Sequence, residues 1–198
     1  MAMVTSEDVL SYWLDEVGPK AWYTGGEALD EEIRGRFLTT WERANDGALS
    51  LWLTYPSGVL AYIIVTDQFP RIMCRGAAQA FATDDVARAA AKSAILKNWD
   101  MRIHEPARQF FYLPLMHSEC LADQDRCVRL MISRLPESGE NNLLHAKAHR
   151  EVIRQFGRFP YRNEALSRAT KADEAEYLAK GGYGHTVRQL EVAPSPAA

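Results

Sequence analysis

The sequence lacks the features that would place the protein in a membrane, on nucleic acid or in an oxidising compartment. Its longest apolar run, Val59–Val65, is too short to cross a bilayer, and Met1–Glu7 has no basic stretch followed by an apolar core. A formal net charge of -3 provides no basic surface for nucleic acid. The cysteines are only 3 in number and form no C-x-x-C pair, which fits free thiols in a reducing compartment. These absences predict a soluble, cytoplasmic protein with no nucleic-acid or membrane partner.

Patterns typical of β-strands are also scarce. The segment Val59–Gln68 has the β-branched composition of a buried strand, but no second strand pattern is present for it to pair with. We therefore expect a buried helix that ends at Phe69-Pro70, because the residue before a proline disfavours helical geometry.

The rest of the chain shows helical spacing of apolar residues, separated by short turns rich in Gly, Pro and Asn. The spacing predicts an all-α fold, with one domain over residues 6–182 and a flexible tail over residues 183–198. Helices are expected at 28–44, 84–98, 106–113, 117–134, 140–156 and 160–168, with a last helix that begins after Thr170 and ends at Gly181-Gly182.

The segment Phe110–Gln124 is expected to be central, because the helix that follows it carries polar side chains on an apolar face. A helical projection from His117 places one apolar stripe on the residues Leu121, Val128, Met131, Ile132 and Leu135. His117 and Gln124 fall within that stripe, and Glu119 and Asp123 project together from another face. Polar groups on a buried face are costly unless they are paired, so this helix requires polar partners.

Charged residues supply two further groups of candidates. The carboxylates Asp67, Glu119 and Asp123 fit a general acid–base pair or a cation site, but an internal salt-bridge network is the commoner arrangement and is favoured. The arginines Arg71, Arg75, Arg158 and Arg162 could bind a carboxylate or phosphate, or could clamp Asp67 and Glu119.

Histidines form the third group. His145 and His149 share a helix face at i, i+4 spacing, but no third ligand follows at a diagnostic distance, and neither a metal nor another cofactor is predicted. A histidine on an apolar face is more often a core residue bonded to a backbone carbonyl.

Several blocks in order resemble one bacterial family. They are Asp67-Gln68-Phe69-Pro70-Arg71, Arg75-Gly76, Phe81-Ala82-Thr83-Asp84, Tyr112-Leu113-Pro114, Met116-His117-Ser118-Glu119, and Phe156–Pro160 followed by Arg162-Asn163. The chain resembles, from Val9 to Leu178, the family catalogued as domain of unknown function 924. The resemblance implies a single domain of stacked antiparallel helix pairs, similar to tetratricopeptide repeats, and it implies no activity.

The chain departs from the family pattern at three positions. Ile72 stands where the family tends to have Asn, Cys120 where it has an acid or Asn, and Tyr161 where it often has His. If these positions line a family site, the substitutions could disable it, alter its chemistry or leave it unchanged.

Two hypotheses for function follow. In the first, a polar pocket binds a small anionic molecule, and if it also acts on that molecule, His117 and Glu119 are the proton-transfer residues. The ligand-binding residues would be Asp67, Gln68, Arg71, Arg75, Tyr112, Ser118, Asp123, Gln124, His149, Arg158, Arg162 and Asn163. In the second, the helical stack presents a groove to a peptide or protein partner, and the polar residues form a structural network.

Overall fold

The computed structural model describes residues 3–192 and is helical, which confirms the predicted all-α class. The described residues include no β-strand, and none of their helices combines the length and apolarity needed to cross a bilayer. The finer prediction of tetratricopeptide-like helix pairs stays a prediction.

The α-helices are α1 (Ser6–Leu10), α2 (Glu27–Asn45), α3 (Pro56–Ile63), α4 (Phe69–Met73), α5 (Asp84–Leu96), α6 (Leu113–Met116), α7 (Leu121–Arg134), α8 (Glu140–Phe156), α9 (Ala172–Ala179) and α10 (Gly182–Val192). The π-helical segments Ser11–Val17 and Ile64–Gln68 extend α1 and α3. Short 3-10 turns lie at Ser50–Thr54, Ala78–Phe81, Asp100–Arg102, Ala107–Phe111 and Pro160–Arg162.

The chain groups into two compact units, Met1–Pro114 and Leu115–Ala198. The prediction of one domain over residues 6–182 stays a prediction, and each unit is described by itself.

The core of the first unit is aromatic. The Phe69 ring lies 4.8 Å from the ring of Phe37 and 5.4 Å from that of Trp13. The Trp22 ring lies 4.8 Å from that of Phe110, in an edge-to-face arrangement. These rings come from α2, α4, the extension of α1 and two connecting segments, so they join elements that are distant in the sequence.

The buried helix predicted over residues 59–68 is confirmed, but the expectation that it ends at Phe69-Pro70 is wrong. The helix continues through Met73, because the wider turn of the π-helical segment Ile64–Gln68 accommodates the proline that follows it. The amide of Phe69 donates to the carbonyl of Ile64, five residues earlier, and the hydroxyl of Thr83 donates to the carbonyl of Thr66 at 2.6 Å. Pro70 has no N–H to donate within the helix, and Thr83 gives the Thr66 carbonyl a hydrogen bond from outside the helix.

The second unit is built on α8, which packs against both α7 and α10. Val152, Ile153, Phe159 and Tyr177 form a buried apolar cluster between α8, α9 and the segment between them. Gly157 ends α8 with a φ of 70°, the left-handed conformation expected of a C-terminal glycine.

Two expectations for this unit are wrong. The helix predicted from residue 117 begins at Leu121, so His117 and Glu119 lie in the preceding turn, and Leu121 and Ile132 of the predicted stripe are exposed. The predicted tail over residues 183–198 is helical as far as Val192, within α10, and residues 193–198 lie outside the described part of the chain.

Candidate functional site

Asp67, Gln68 and Arg71 form a buried network at the end of the helix that contains the π-helical segment. Gln68 Nε2 donates to Asp67 Oδ2 at 2.6 Å, and Arg71 Nη2 lies 3.2 Å from Asp67 Oδ1. The same Nη2 lies 2.6 Å from Oδ1 of Asp84, in the first turn of α5. Arg71 therefore clamps two carboxylates, as the structural interpretation of the arginines predicts.

The other two candidates of the first unit have different surroundings. The hydroxyl of Tyr112 donates to Asp100 Oδ2 at 2.7 Å, and both residues are buried. Arg75 is an exposed residue that forms a two-point contact with Asp30, at 3.0 and 3.2 Å. This pair lines a groove of about 610 Å³, together with Arg34 and Cys74.

In the second unit, the turn before α7 is held by side chains of α7 itself. Gln124 Nε2 donates to the carbonyls of Met116 at 2.6 Å and Ser118 at 2.7 Å. The hydroxyl of Ser118 donates to Asp123 Oδ2 at 2.9 Å. In a helix beginning at His117, these backbone carbonyls would accept hydrogen bonds from amides of the same helix. Because Gln124 binds them instead, the helix starts later.

Glu119 is bound by Arg168, a residue that the sequence analysis did not single out. The guanidinium of Arg168 donates to both carboxylate oxygens, at 2.7 and 3.0 Å, and the amide of Phe159 donates to Oε1 at 2.8 Å. Burial alone would raise the pKa of Glu119, but the bonds from Arg168 and Phe159 outweigh it and lower that pKa. These contacts fit a role for Glu119 in positioning the backbone of Phe159.

A second ion pair engages Arg158 and Asn163. Arg158 donates to both oxygens of Glu174, at 2.6 and 2.7 Å, and Asn163 Nδ2 donates to Oε2 at 3.0 Å. The amide of Lys171 donates to the same oxygen, so Glu174 caps the start of α9 from within its first turn. The bonds from Arg158, foremost among these contacts, lower the pKa of Glu174 to about 2. Both carboxylate oxygens of Glu174 accept hydrogen bonds from Arg158, so Arg158 serves here as a structural clamp.

His149 is held in one tautomer by the backbone and by Tyr183. Its Nδ1 lies 2.9 Å from the carbonyl oxygen of His145, which can only accept, so the proton resides on Nδ1. The hydroxyl of Tyr183 lies 3.1 Å from that Nδ1 and 2.6 Å from Nδ1 of His145, to which it can donate. Nε2 of His149 is therefore left as an acceptor, and it has no hydrogen-bond partner within residues 3–192.

The surroundings of His149 keep it neutral. Burial, followed by the charge of His117, lowers the pKa of His149 to about 3. The ring of His117 lies 6.2 Å from that of His149, and the ring of Tyr183 lies 4.6 Å from it. Burial likewise lowers the pKa of His145. At neutral pH the imidazoles of His149 and His145 are therefore uncharged.

Phe159 lies between the ring of His149 and a positive charge, the guanidinium of Arg162. Its ring lies 5.4 Å from the ring of His149 and stacks at 5.3 Å on the ring of Tyr161. The guanidinium carbon of Arg162 lies 4.5 Å from the centre of the same ring. Glu119 and Arg168 bind the amide and the carbonyl of Phe159, so the clamp fixes the residue around which the other side chains are arranged.

We name the group His117, His149, Phe159, Tyr161, Arg162 and Tyr183 the imidazole cluster. Within residues 3–192 no group of histidine, cysteine and carboxylate side chains is arranged to hold a metal ion. Of the predicted site residues, the cluster brings together His117, His149 and Arg162. The prediction that residues of both units share one site stays a prediction.

The residues predicted from the sequence did not include Arg168, Glu174 and Tyr183. Tyr183, Thr186, Val187 and Leu190 have the spacing of one helix face, and this signal could have identified α10 within the predicted tail. Arg168 had no comparable signal, because its partner Glu119 lies 49 positions earlier in the chain.

The comparisons with known proteins agree with the resemblance carried by the sequence blocks. The model of the family described as "Bacterial protein of unknown function (DUF924)" matches residues 9–182. A solved structure of a protein of unknown function from Agrobacterium tumefaciens, ATU0120, is similar over 89% of this chain and 97% of that one, with 38% sequence identity and a TM-score of 0.83. No curated protein matches the chain. The chain belongs to the DUF924 family.

Proposed function

We propose that this member of the family binds a small anionic molecule at the imidazole cluster. The observation that carries the proposal is Nε2 of His149, an acceptor with no hydrogen-bond partner in the described chain, in a cluster whose one permanent charge is the guanidinium of Arg162. A ligand with a hydroxyl or amine proton for Nε2 and an anionic group for Arg162 would complement both features.

Binding is favoured over proton transfer by the pKa of His149. A general base works best when its pKa lies near the operating pH, whereas that of His149 is lowered to about 3. Glu119, the other predicted proton-transfer residue, has both oxygens occupied by Arg168 and Phe159. These two observations support a binding site whose histidine is a fixed hydrogen-bond acceptor.

The exposure of the cluster also supports a ligand site. His149 and His117 are partly exposed, and Tyr161 has 39% of its surface accessible. A purely structural histidine would be expected to have both ring nitrogens engaged.

The test is a titration of the full-length protein with malate, succinate and inorganic phosphate, followed by NMR of the histidine side chains. Malate has a hydroxyl that succinate lacks, so malate should bind more tightly and should shift the His149 signals. The variant His149→Phe keeps a ring of similar size and should remove the preference for malate over succinate.

A matched pair of variants tests whether the position of the positive charge matters for anion binding. Arg162→Gln and Arg154→Gln each remove one positive charge, and the side chain of Arg154 is an exposed one on α8. Only Arg162→Gln should weaken binding of the anions. Equal losses in the two variants, or no binding by any of the three compounds to folded wild-type protein, would overturn the proposal.

A further inference from the structure

The first unit contains a second cavity that the imidazole cluster does not involve. It has a volume of about 330 Å³ and lies between α3, α5 and the 3-10 turn Ser50–Thr54. Its walls are mainly apolar and include Leu53, Val59, Tyr62, Ala90, Ala94 and Trp99. An engineered cavity of about 150 Å³ in another protein binds benzene, so this volume suits an apolar group roughly twice that size.

The cavity exists because α5 presents small side chains to α3. Ala90 and Ala94 are buried and line the cavity, whereas Ala89 is an exposed residue on its wall. Larger residues at these positions would fill the space, and an unfilled apolar cavity lowers stability because its lining loses packing contacts. A ligand that fills it would restore those contacts.

Tyr62 gives this apolar space a polar anchor. Only 5% of its surface is exposed, it lines the cavity, and its hydroxyl has no hydrogen-bond partner within residues 3–192. A hydroxyl in such surroundings is stabilised by a partner that accepts a hydrogen bond from it. Burial raises the pKa of Tyr62, so the hydroxyl remains a donor at neutral pH.

A positive charge lies beside the same cavity. Trp99 is on the cavity wall, and the ammonium nitrogen of Lys97 lies 4.3 Å from the centre of its ring. Lys97 is exposed, and it could interact with a negative group at the edge of the cavity while its ammonium stays hydrated.

We propose that this cavity binds a medium-chain aliphatic carboxylic acid. The alkyl chain occupies the space between α3 and α5, and a carboxylate oxygen accepts the hydrogen bond of the Tyr62 hydroxyl. The charge of Lys97 favours the carboxylate over an uncharged or cationic head group. This site is independent of the imidazole cluster.

Isothermal titration calorimetry of the full-length protein with octanoate, 1-octanol and octylamine tests the head group. Octanoate is expected to bind most tightly, 1-octanol more weakly and octylamine least, because an ammonium group cannot accept from Tyr62. Tyr62→Phe keeps the ring and removes the hydroxyl, and it should weaken octanoate binding about fivefold.

Two further variants test the location. Ala89→Trp places a bulky side chain at an exposed position on the cavity wall and should abolish octanoate binding without unfolding α5. Ala175→Trp, at an exposed position on α9, is the matched control and should bind octanoate like the wild type. His149→Phe should also leave octanoate binding unchanged, which separates this site from the imidazole cluster.

The proposal is overturned if octanoate does not bind folded wild-type protein, or if Ala89→Trp and Ala175→Trp bind it equally. Equal affinity of Tyr62→Phe and wild type for octanoate would overturn the assignment of the hydroxyl as the anchor.

Discussion

The Nδ1 atom of His149 lies 2.9 Å from the carbonyl oxygen of His145, one turn earlier on the same helix. This contact fixes the tautomer of a partly buried imidazole, and it leaves the opposite nitrogen available for a ligand. The same burial that makes His149 a neutral acceptor makes its protonation unfavourable in the folded state.

The first prediction concerns pH. The pKa of His149 is about 3 in the folded protein against 6.5 for an unperturbed histidine, so between these values the unfolded state binds more protons. The contribution of His149 to the free energy of unfolding is therefore complete above pH 6.5 and falls by about 1.4 kcal/mol for each pH unit below it. Urea denaturation at pH 8, 6 and 5 should show a steeper loss in wild type than in His149→Gln, which cannot titrate at this position. Parallel pH profiles for the two proteins would contradict the assignment.

The second prediction concerns the clamp on Phe159. Arg168→Ala removes both bonds to Glu119 and leaves a partly buried carboxylate with an uncompensated charge. Breaking a fully buried pair costs about 3–5 kcal/mol, and the partial exposure of this pair reduces the expected loss to about 2 kcal/mol. The exposed Arg36, paired with Glu16 and Glu32, is the control, and Arg36→Ala should cost less than about 1 kcal/mol. Denaturant midpoints measure both losses, and equal losses in the two variants would be inconsistent with a structural role for Arg168.

The third prediction concerns Glu174. Its pKa is lowered to about 2 from 4.5, so its contribution to stability is complete above pH 4.5 and is lost as the pH falls through about 2. The melting temperature of Glu174→Gln should lie below that of wild type at pH 7, and the difference should shrink between pH 4.5 and 2. Glu176→Gln, an exposed substitution on the same helix, provides the reference and should differ little from wild type at pH 7. A difference that persists unchanged at pH 2 would contradict the charge-based account.

The fourth prediction concerns Thr83, whose hydroxyl donates to the carbonyl of Thr66 and accepts from the indole of Trp41 at 3.0 Å. Thr83→Val keeps the shape and leaves the buried carbonyl of Thr66 and the partly buried indole of Trp41 without this bond, with an expected loss of about 2 kcal/mol in the free energy of unfolding. The exposed Thr54, whose hydroxyl donates to the carbonyl of Leu51, is the matched control, and Thr54→Val should lose less than about 1 kcal/mol. Chemical denaturation compares the two, and a similar small loss at both positions would show that Thr83 is not needed to support the π-helical segment.

The sequence predicted those elements whose causes are local. The helices α2, α5 and α8 follow from amphipathic spacing and from turn residues at their ends, and they lie within a few residues of their predicted bounds. The helix over residues 59–68 was identified because a strand would have had no partner. These arguments need only the neighbouring sequence.

The errors occur where a distant residue decides the local structure. The helix passes through Pro70 with a π-helical register before it and a hydrogen bond from Thr83 to Thr66, neither of which a local rule could anticipate. The turn at His117 persists because Gln124 binds its carbonyl groups.

The candidate site was predicted in part. His149 and Arg162 were identified as polar residues, but the partner of Glu119 was expected among the arginines of the family blocks. That partner is Arg168, beyond the last of these blocks. Residue types therefore indicated where polar chemistry lies, whereas the pairing between residues required the fold.

The separation between Glu119 and Arg168 has a consequence for synthesis on the ribosome. Glu119 emerges long before Arg168, so its carboxylate lacks its guanidinium partner until 49 further residues have been added. Closing a loop of this length carries an entropic cost that contacts within α7 and α8 can offset only in part. Phe159 and the side chains around it can therefore reach their final arrangement only after translation has passed Arg168, which makes the imidazole cluster one of the last parts of the nascent chain to form.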